Sequence, residues 1–173
     1  MKTPILETER LILRGHTHDD FKDSVQMWAD PEVVRFIGGT PSSQSQSWLR
    51  FLAYLGHWKL LGYGYWVIED KLNKDFIGEV GLADWKRKLS ISLDVPESGW
   101  VIHPSQQGKG YAAEAMIAVL KWVDNNIDSK QTYCIIDPEH KGSIKIAKKL
   151  GYNYSERIKF NNVPVDLFFR DRC

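Results

Sequence analysis

The spacing of hydrophobic residues changes repeatedly along the chain, and each change predicts a different element. The opening ERLILRG alternates charged and apolar side chains as a strand does. The stretch THDDFKDSVQMWAD instead places Phe21, Val25 and Trp28 at helical spacing, with Thr17 as the predicted cap. A serine-rich loop, GGTPSSQSQS, then leads into WLRFLAYLGHW, which we predict to be a second helix.

The middle of the chain is rich in β-branched and aromatic residues, which favour strands. A hairpin is predicted by GYGYWVIED and DFIGEVGLADW, which KLNK separates. Further strands are predicted at LSISLDV and SGWVIHP. Helical spacing returns from Tyr111 to Asn125, where the alanines after the glycines allow close packing.

The C-terminal third continues this alternation. TYCIID is a short strand of the buried type, and SIKIAKKLGY is an amphipathic helix that ends at Gly151. A closing β-pair is predicted from NYSERIKF and VPVDLFFRD. The order β-α-α-β-β-β-α-β-α-β-β predicts an α/β or α+β fold with a mixed sheet, and we expect residues 1–173 to form a single domain.

Composition narrows the possible partners. The 23 basic and 22 acidic residues give a net charge of +1, which provides no electrostatic basis for binding nucleic acid or an anionic membrane. We find no signal-peptide pattern and no apolar run long enough to span a membrane. Cys134 and Cys173 are too few for a disulfide framework, so we expect a cytoplasmic protein.

The most informative stretch is HPSQQGKGYAAEA, which places two glycines at the start of a helix. Unpaired helix amides and the helix dipole attract anions, and glycine lets a ligand approach the backbone closely. We therefore predict a pyrophosphate-binding loop, the alternative being a tight strand-to-helix turn. The loop comprises Gln107, Gly108, Lys109, Gly110, Tyr111 and Ala112.

A dinucleotide-binding oxidoreductase is the main rival interpretation of these glycines. The pattern GxGxxA occurs at residues 108–113, and Asp137 ends the next strand, where a ribose-binding acid is expected. However, HPSQQ separates the preceding strand from the glycines, and only about 60 residues follow them. The remaining parallel strands of a dinucleotide-binding sheet do not fit in that length, so this interpretation is disfavoured.

Several motifs together resemble the GNAT superfamily of acyl-CoA-dependent N-acetyltransferases, and its RimJ/RimL-like branch in particular. The family signature Q/R-x-x-G-x-G/A is matched by QGKGYA, and its wider context by ESGWVIHPSQQGKGYAAEA. The opening LETERLILR and the segment DPEHKGSIKIAKKLGY are also typical of that branch. The resemblance covers nearly the whole chain in the right order.

The resemblance implies a strongly twisted sheet that splays open beside the strand from Gly99 to His103. It implies acetyl-CoA as co-substrate, with pantetheine along the backbone of Val101, Ile102 and His103 and pyrophosphate on the amides from Gln107 to Ala112. The acceptor would be an amine, either a protein N-terminus or a small molecule. Dimers are common in the family, so either a monomer or a homodimer is expected.

The resemblance also implies roles for three side chains. Glu97 matches the family's proton acceptor, although on chemistry alone it is a solvated carboxylate at a strand end. Ser143 matches a proposed partner of the leaving thiolate, and it is equally an N-cap candidate for a helix beginning at Ile144. His140 replaces the family's asparagine and is a candidate pantetheine contact. The family's acidic tyrosine is replaced by Ala147, which leaves a non-catalytic acyl-CoA-binding module as an alternative.

The other polar side chains indicate no second chemistry. His16 and His18 are expected to be solvated, and Cys134 is expected to be a buried apolar residue. No group of His, Cys and Asp has the spacing of metal ligands, so no metal is predicted.

Overall fold

The computed structural model describes residues 3–172 and contains a mixed sheet of eight strands. The strands are β1 (Leu6–Glu7), β2 (Leu11–Arg14), β3 (Tyr65–Asp70), β4 (Phe76–Ala83), β5 (Glu97–Ile102), β6 (Gln131–Ile136), β7 (Asn153–Phe160) and β8 (Val163–Asp171). Their order across the sheet is β1-β2-β3-β4-β5-β6-β8-β7. The helices are α1 (Phe21–Ala29), α2 (Pro31–Val34), α3 (Gln44–Leu61), α4 (Tyr111–Asn126) and α5 (Lys141–Lys149).

The pairing of β5 with β6 divides the sheet into two arms. All other neighbouring strands run antiparallel, whereas β5 and β6 are parallel and share a single register pair, Glu97 with Tyr133. Beyond that pair the two strands separate. The predicted mixed sheet that splays open next to β5 is therefore confirmed.

Each face of the first arm is covered by a different set of helices. Strand residues alternate between faces, so Trp66 and Val80 belong to one face while Val67 and Glu79 belong to the other. The first face packs against α4, whose Ala115 is fully buried, as the predicted close packing requires. The second face lies beneath α1, α2 and α3.

Two helix starts show how local sequence sets the elements. Ser43 caps α3, and Gln46 returns the interaction by accepting a hydrogen bond from the Ser43 amide. The start of α1 is less direct than predicted, because a 3-10 turn, His18–Asp20, separates it from Thr17. Both the amide and the hydroxyl of Thr17 donate to the Asp20 carboxylate, which also binds Arg14.

The predicted strand LSISLDV is wrong. Within residues 89–95 the only strand-like pairing is an isolated bridge between Leu89 and Phe160. Alternate apolar residues of this segment nevertheless pack against a cluster that includes Tyr133 and Leu167. The alternating pattern therefore results from alternating burial of the side chains and not from backbone hydrogen bonds to a neighbouring strand.

Two further observations concern the wider predictions. Within residues 3–172 no helix has the length and apolarity needed to cross a membrane. Cys134 is buried in β6, where desolvation raises the pKa of its thiol, whereas Cys173 lies outside the described residues.

Candidate functional site

A cleft of about 440 Å³ opens where β5 and β6 separate. Its walls come from β5, from the loop that precedes α4, from the first turns of α5 and from the segment around α2. Nine of the twelve predicted site residues line it, namely Val101, Ile102, Gln107, Gly108, Gly110, Tyr111, Ala112, His140 and Ser143. Glu97, His103 and Lys109 are not part of this lining.

The glycine loop has the conformation that its composition predicts. Gly108 and Gly110 have φ values of 76° and 84°, in the left-handed region that side chains disfavour. Gly110 is the residue that precedes the first turn of α4, so the free amides of this helix point into the loop. The Lys109 ammonium turns back to Gln106 at 2.7 Å.

The backbone of β5 presents alternate residues to the cleft. The Pro96 carbonyl accepts a hydrogen bond from the Tyr133 amide of β6, whereas the His103 amide donates to the Ile77 carbonyl of β4. Because alternate residues of a strand direct their polar groups to opposite neighbours, Trp100 and Ile102 face the gap. Val101 and His103 direct their backbone polar groups toward β4. The main-chain groups of these two residues are therefore not the ones that face the gap, where pairing with pantetheine was predicted.

Ser143 and His140 lie together at the start of α5. The helix begins at Lys141, and the His140 ring accepts the Ser143 amide at 3.4 Å. His140 is therefore the cap, and the N-cap role predicted for Ser143 is wrong. Burial lowers the pKa of His140, which agrees with a neutral ring that can accept this bond. The Ser143 hydroxyl accepts the indole N–H of Trp100 at 3.3 Å.

Glu97 is neither solvated nor in the lining of the cleft. Its side chain is buried, and its carboxylate accepts hydrogen bonds from Arg87 at 2.7 Å and from the Tyr133 hydroxyl at 2.9 Å. The interpretation of Glu97 as a solvated strand-end carboxylate is therefore wrong. Its bonds tie β5 to β6 at their single shared register pair.

A second hydrogen-bonded bridge joins the same two strands from the other face. The Tyr152 hydroxyl donates to Ser98 of β5 at 2.6 Å and lies 2.8 Å from the hydroxyl of Thr132 on β6. All three side chains are buried. The narrow end of the cleft, which we call the neck, is therefore held by Glu97 with Tyr133 on one face and by Tyr152 with Ser98 and Thr132 on the other.

Two aromatic walls of the cleft could not be predicted from the sequence. Trp100 belongs to the family motif, yet its indole also reaches across the gap to α5. Phe36, just after α2, stacks on the His140 ring with 4.5 Å between the centroids. Residues more than 40 positions apart form both contacts, so no local pattern encodes them. Only the position of Trp100 in an alternating strand could have indicated which way it points.

A buried polar cluster lies on the sheet face beneath α1 and α3. Glu79 stands opposite Val101 in the β4–β5 register and is fully buried. Its carboxylate accepts hydrogen bonds from Ser24 at 2.7 Å and from the Trp28 indole at 2.9 Å. His16 is also buried, with its Nε2 3.4 Å from Glu79, so the prediction that His16 is solvated is wrong.

Between residues 3 and 172 there is no group of three or more His, Cys, Asp or Glu side chains placed to hold an ion. The cleft itself is lined by backbone groups of the glycine loop, by the Ser143 hydroxyl and by aromatic side chains.

Comparison with known proteins identifies the family to which the chain belongs. Residues 10–153 match the family described as Acetyltransferase (GNAT) domain, which is most of the chain. The chain belongs to this GNAT family. YkkB of Bacillus subtilis, an uncharacterized protein, is 29% identical over 145 residues, which cover 83% of this chain and 81% of YkkB.

Solved structures of GNAT proteins share the fold. A candidate GnaT-family acetyltransferase from Bordetella pertussis superposes with a TM-score of 0.84 at 26% identity, covering 96% of this chain and 99% of that one. Spermidine N-acetyltransferase from Vibrio cholerae, solved with CoA and spermine, has a TM-score of 0.74 at 18% identity, with coverages of 95% and 97%. The GNAT fold predicted from the motifs is confirmed.

Proposed function

We propose that this GNAT domain transfers an acetyl group from acetyl-CoA to a primary amine while both substrates are bound. The observation that carries the proposal is the cleft between β5 and β6, where unpaired backbone groups of β5 lead to a glycine loop at the start of α4. An elongated ligand fits this arrangement if its polar amide arm lies along the backbone groups of β5 and its anionic diphosphate lies at the glycine loop. Residues 1–173 would act as one unit.

The glycine loop fits a diphosphate. Gly108 and Gly110 let the backbone approach the ligand, and the first amides of α4 have no partner within the helix. We propose that the amides from Gln107 to Ala112 bind the diphosphate. Lys109 contributes charge from the edge of the loop, since its ammonium lies outside the cleft lining.

The pantetheine arm is assigned to the gap-facing backbone of Trp100 and Ile102. The Ile102 carbonyl already accepts the Gln107 side chain at 3.1 Å, so the neighbouring main-chain groups of Trp100 and the Ile102 amide are the available partners. Val101 then contributes its side chain to the wall. His140 and Phe36 enclose the opposite side by contact and not by charge.

Acetyl transfer forms a C–N bond and breaks the C–S bond of the thioester; the amine gives up one proton and the departing sulfur takes one. We assign the proton donation to Ser143. Its oxygen accepts the Trp100 N–H, so its own O–H is free to point toward the sulfur. Solvent at the cleft mouth accepts the proton that the amine gives up and returns a proton to the Ser143 oxygen, so protons balance over the cycle.

Glu97 receives a different role from the one that the resemblance implies. Its carboxylate is already bound by Arg87 and Tyr133, and it does not line the cleft. We propose that Glu97 acts as a positioning residue, which fixes the neck and thereby the direction of β5. It does not contact the amine.

The acceptor is proposed to be a protein N-terminus, as in the RimJ/RimL-like branch whose motifs the sequence carries, or a small amine. A cytoplasmic monomer or homodimer would serve either acceptor. The two classes differ in size, so a panel of peptides, polyamines and aminoglycosides separates them.

The test is release of free thiol from acetyl-CoA in the presence of that panel. We expect turnover with at least one amine, and Ser143→Ala should lower kcat about 100-fold with little change in KM for acetyl-CoA. Binding of CoA without turnover with any amine would favour a non-catalytic acyl-CoA-binding module. That alternative is considered because Ala147 stands where the family has its acidic tyrosine. Absence of both binding and turnover would contradict the proposal.

A further inference from the structure

Glu114 in the first turn of α4 is bound by the turn between β1 and β2. One carboxylate oxygen accepts the Thr8 hydroxyl at 2.5 Å and the Arg10 amide at 3.0 Å. The other accepts the Arg10 guanidinium, from Nε at 2.7 Å and from Nη2 at 2.6 Å. Burial opposes ionisation, but the bonds from Thr8 and Arg10 outweigh it and lower the pKa of Glu114. The pair is therefore ionised at neutral pH.

Arg10 also contacts two residues of the glycine loop and lies beside the glycine between them. Its Nη1 donates to the Lys109 carbonyl at 3.1 Å, and its guanidinium lies over the Tyr111 ring at 4.5 Å from the centroid. A Cβ on Gly110 would lie 3.6 Å from Nη2. The charge of Arg10 is thus placed against the loop and not only against Glu114.

This position creates an electrostatic conflict that Arg10 resolves. A carboxylate in the first turn of a helix is favoured by the helix dipole. In the proposed function the same helix start binds a diphosphate, which an uncompensated carboxylate one turn away would repel. Glu114 thus fixes the N-terminal turn to α4, but only its pairing with Arg10 makes it compatible with an anionic ligand.

We propose that Arg10 is a positioning residue for the acyl-CoA diphosphate, which acts by cancelling the charge of Glu114 at the glycine loop. The inference rests on the proposed function, because it assumes that the loop binds the diphosphate. It assigns to the cofactor site a residue about 100 positions upstream of the loop.

The experiment is calorimetric titration of the full chain with coenzyme A at low ionic strength. Arg10→Gln should weaken binding about tenfold, because Glu114 then repels the diphosphate. Glu114→Gln should bind at least as tightly as the wild type, because Arg10 is left uncompensated. The double variant should return to within about threefold of the wild type. At 0.5 M salt the loss caused by Arg10→Gln should shrink to about twofold, because repulsion between exposed charges is screened.

A matched control is Arg157→Gln. Arg157 makes a similar ion pair with Asp166 at 2.7 Å, but between β7 and β8. This variant should bind coenzyme A as the wild type does. Thermal melts of all variants establish that they are folded, and Glu114→Gln alone remains decisive if Arg10→Gln does not fold.

Three results would overturn the inference. Arg10→Gln could bind as the wild type does, Glu114→Gln could bind more weakly than the wild type, or the double variant could be as weak as Arg10→Gln. The last two would show that Arg10 acts as a brace or as a direct phosphate ligand. In each of these three cases the wild type still binds coenzyme A, so only the inference about Arg10 fails. If the wild type does not bind coenzyme A, the proposed function and this inference are refuted together.

Discussion

Removing the Tyr152 hydroxyl should open the neck of the cleft at a measurable cost. This hydroxyl donates to Ser98 on β5 and, having used its proton there, accepts from Thr132 on β6. Tyr152→Phe keeps the buried ring but leaves two buried hydroxyls without that partner. Each unsatisfied buried group costs about 1–3 kcal/mol, so we expect a loss of about 2–4 kcal/mol in the free energy of unfolding.

The assay is urea unfolding, with thermal melts as a second measure. For a chain of this size the expected loss corresponds to a decrease of about 5–15 °C in Tm. The triple variant Ser98→Ala, Thr132→Val, Tyr152→Phe should recover most of the stability, since all the polar partners then leave together. Tyr154→Phe is the matched control, because Tyr154 is exposed, and it should change stability by less than about 0.5 kcal/mol.

Two outcomes would refute this reasoning. Tyr152→Phe could be as stable as the control, which would mean that the hydroxyls find other partners. The triple variant could be no more stable than the single one, which would mean that the cost comes from packing and not from unpaired hydroxyls.

Three further predictions concern groups around the cleft. Glu97→Gln should lower stability by about 1–3 kcal/mol and raise KM for acetyl-CoA without moving the pH profile of kcat, whereas a shifted profile would restore Glu97 as the proton acceptor. Glu79→Gln should cost about 1–3 kcal/mol in urea unfolding, because its amide keeps only one of the two oxygens that accept from Ser24 and Trp28; an unchanged midpoint would contradict this. His140→Asn should lose less stability than the wild type on acidification. The pKa of His140 is lowered in the fold, so its contribution is complete above about pH 6.5 and is lost as the pH falls through the folded pKa; equal acid sensitivity of the two proteins would contradict this.

The elements that could be predicted are those whose pattern is local. The glycine loop and its helix were predicted from their composition, and their left-handed glycines agree with that reasoning. LSISLDV failed because its alternating side chains are buried without forming a backbone ladder. A period of two identifies which residues are buried, and strand pairing needs a partner that the segment itself does not specify.

The chemistry of individual side chains was harder to predict because distant residues determine it. Glu97 looks like a free strand-end carboxylate until Arg87 and Tyr133 are brought to it by the fold. His16 lies in a polar stretch of sequence, yet rings from α3 enclose it at Phe51 and Tyr54. Burial of a polar residue by elements far away in the chain leaves no trace in its own neighbourhood.

A crystal structure of the protein with coenzyme A would show whether the cleft between β5 and β6 binds the cofactor as proposed. We expect the diphosphate within hydrogen-bond distance of the amides between Gln107 and Ala112, and the pantetheine arm beside Trp100 and Ile102. Coenzyme A bound elsewhere, or its pantetheine arm outside the gap between β5 and β6, would contradict this expectation.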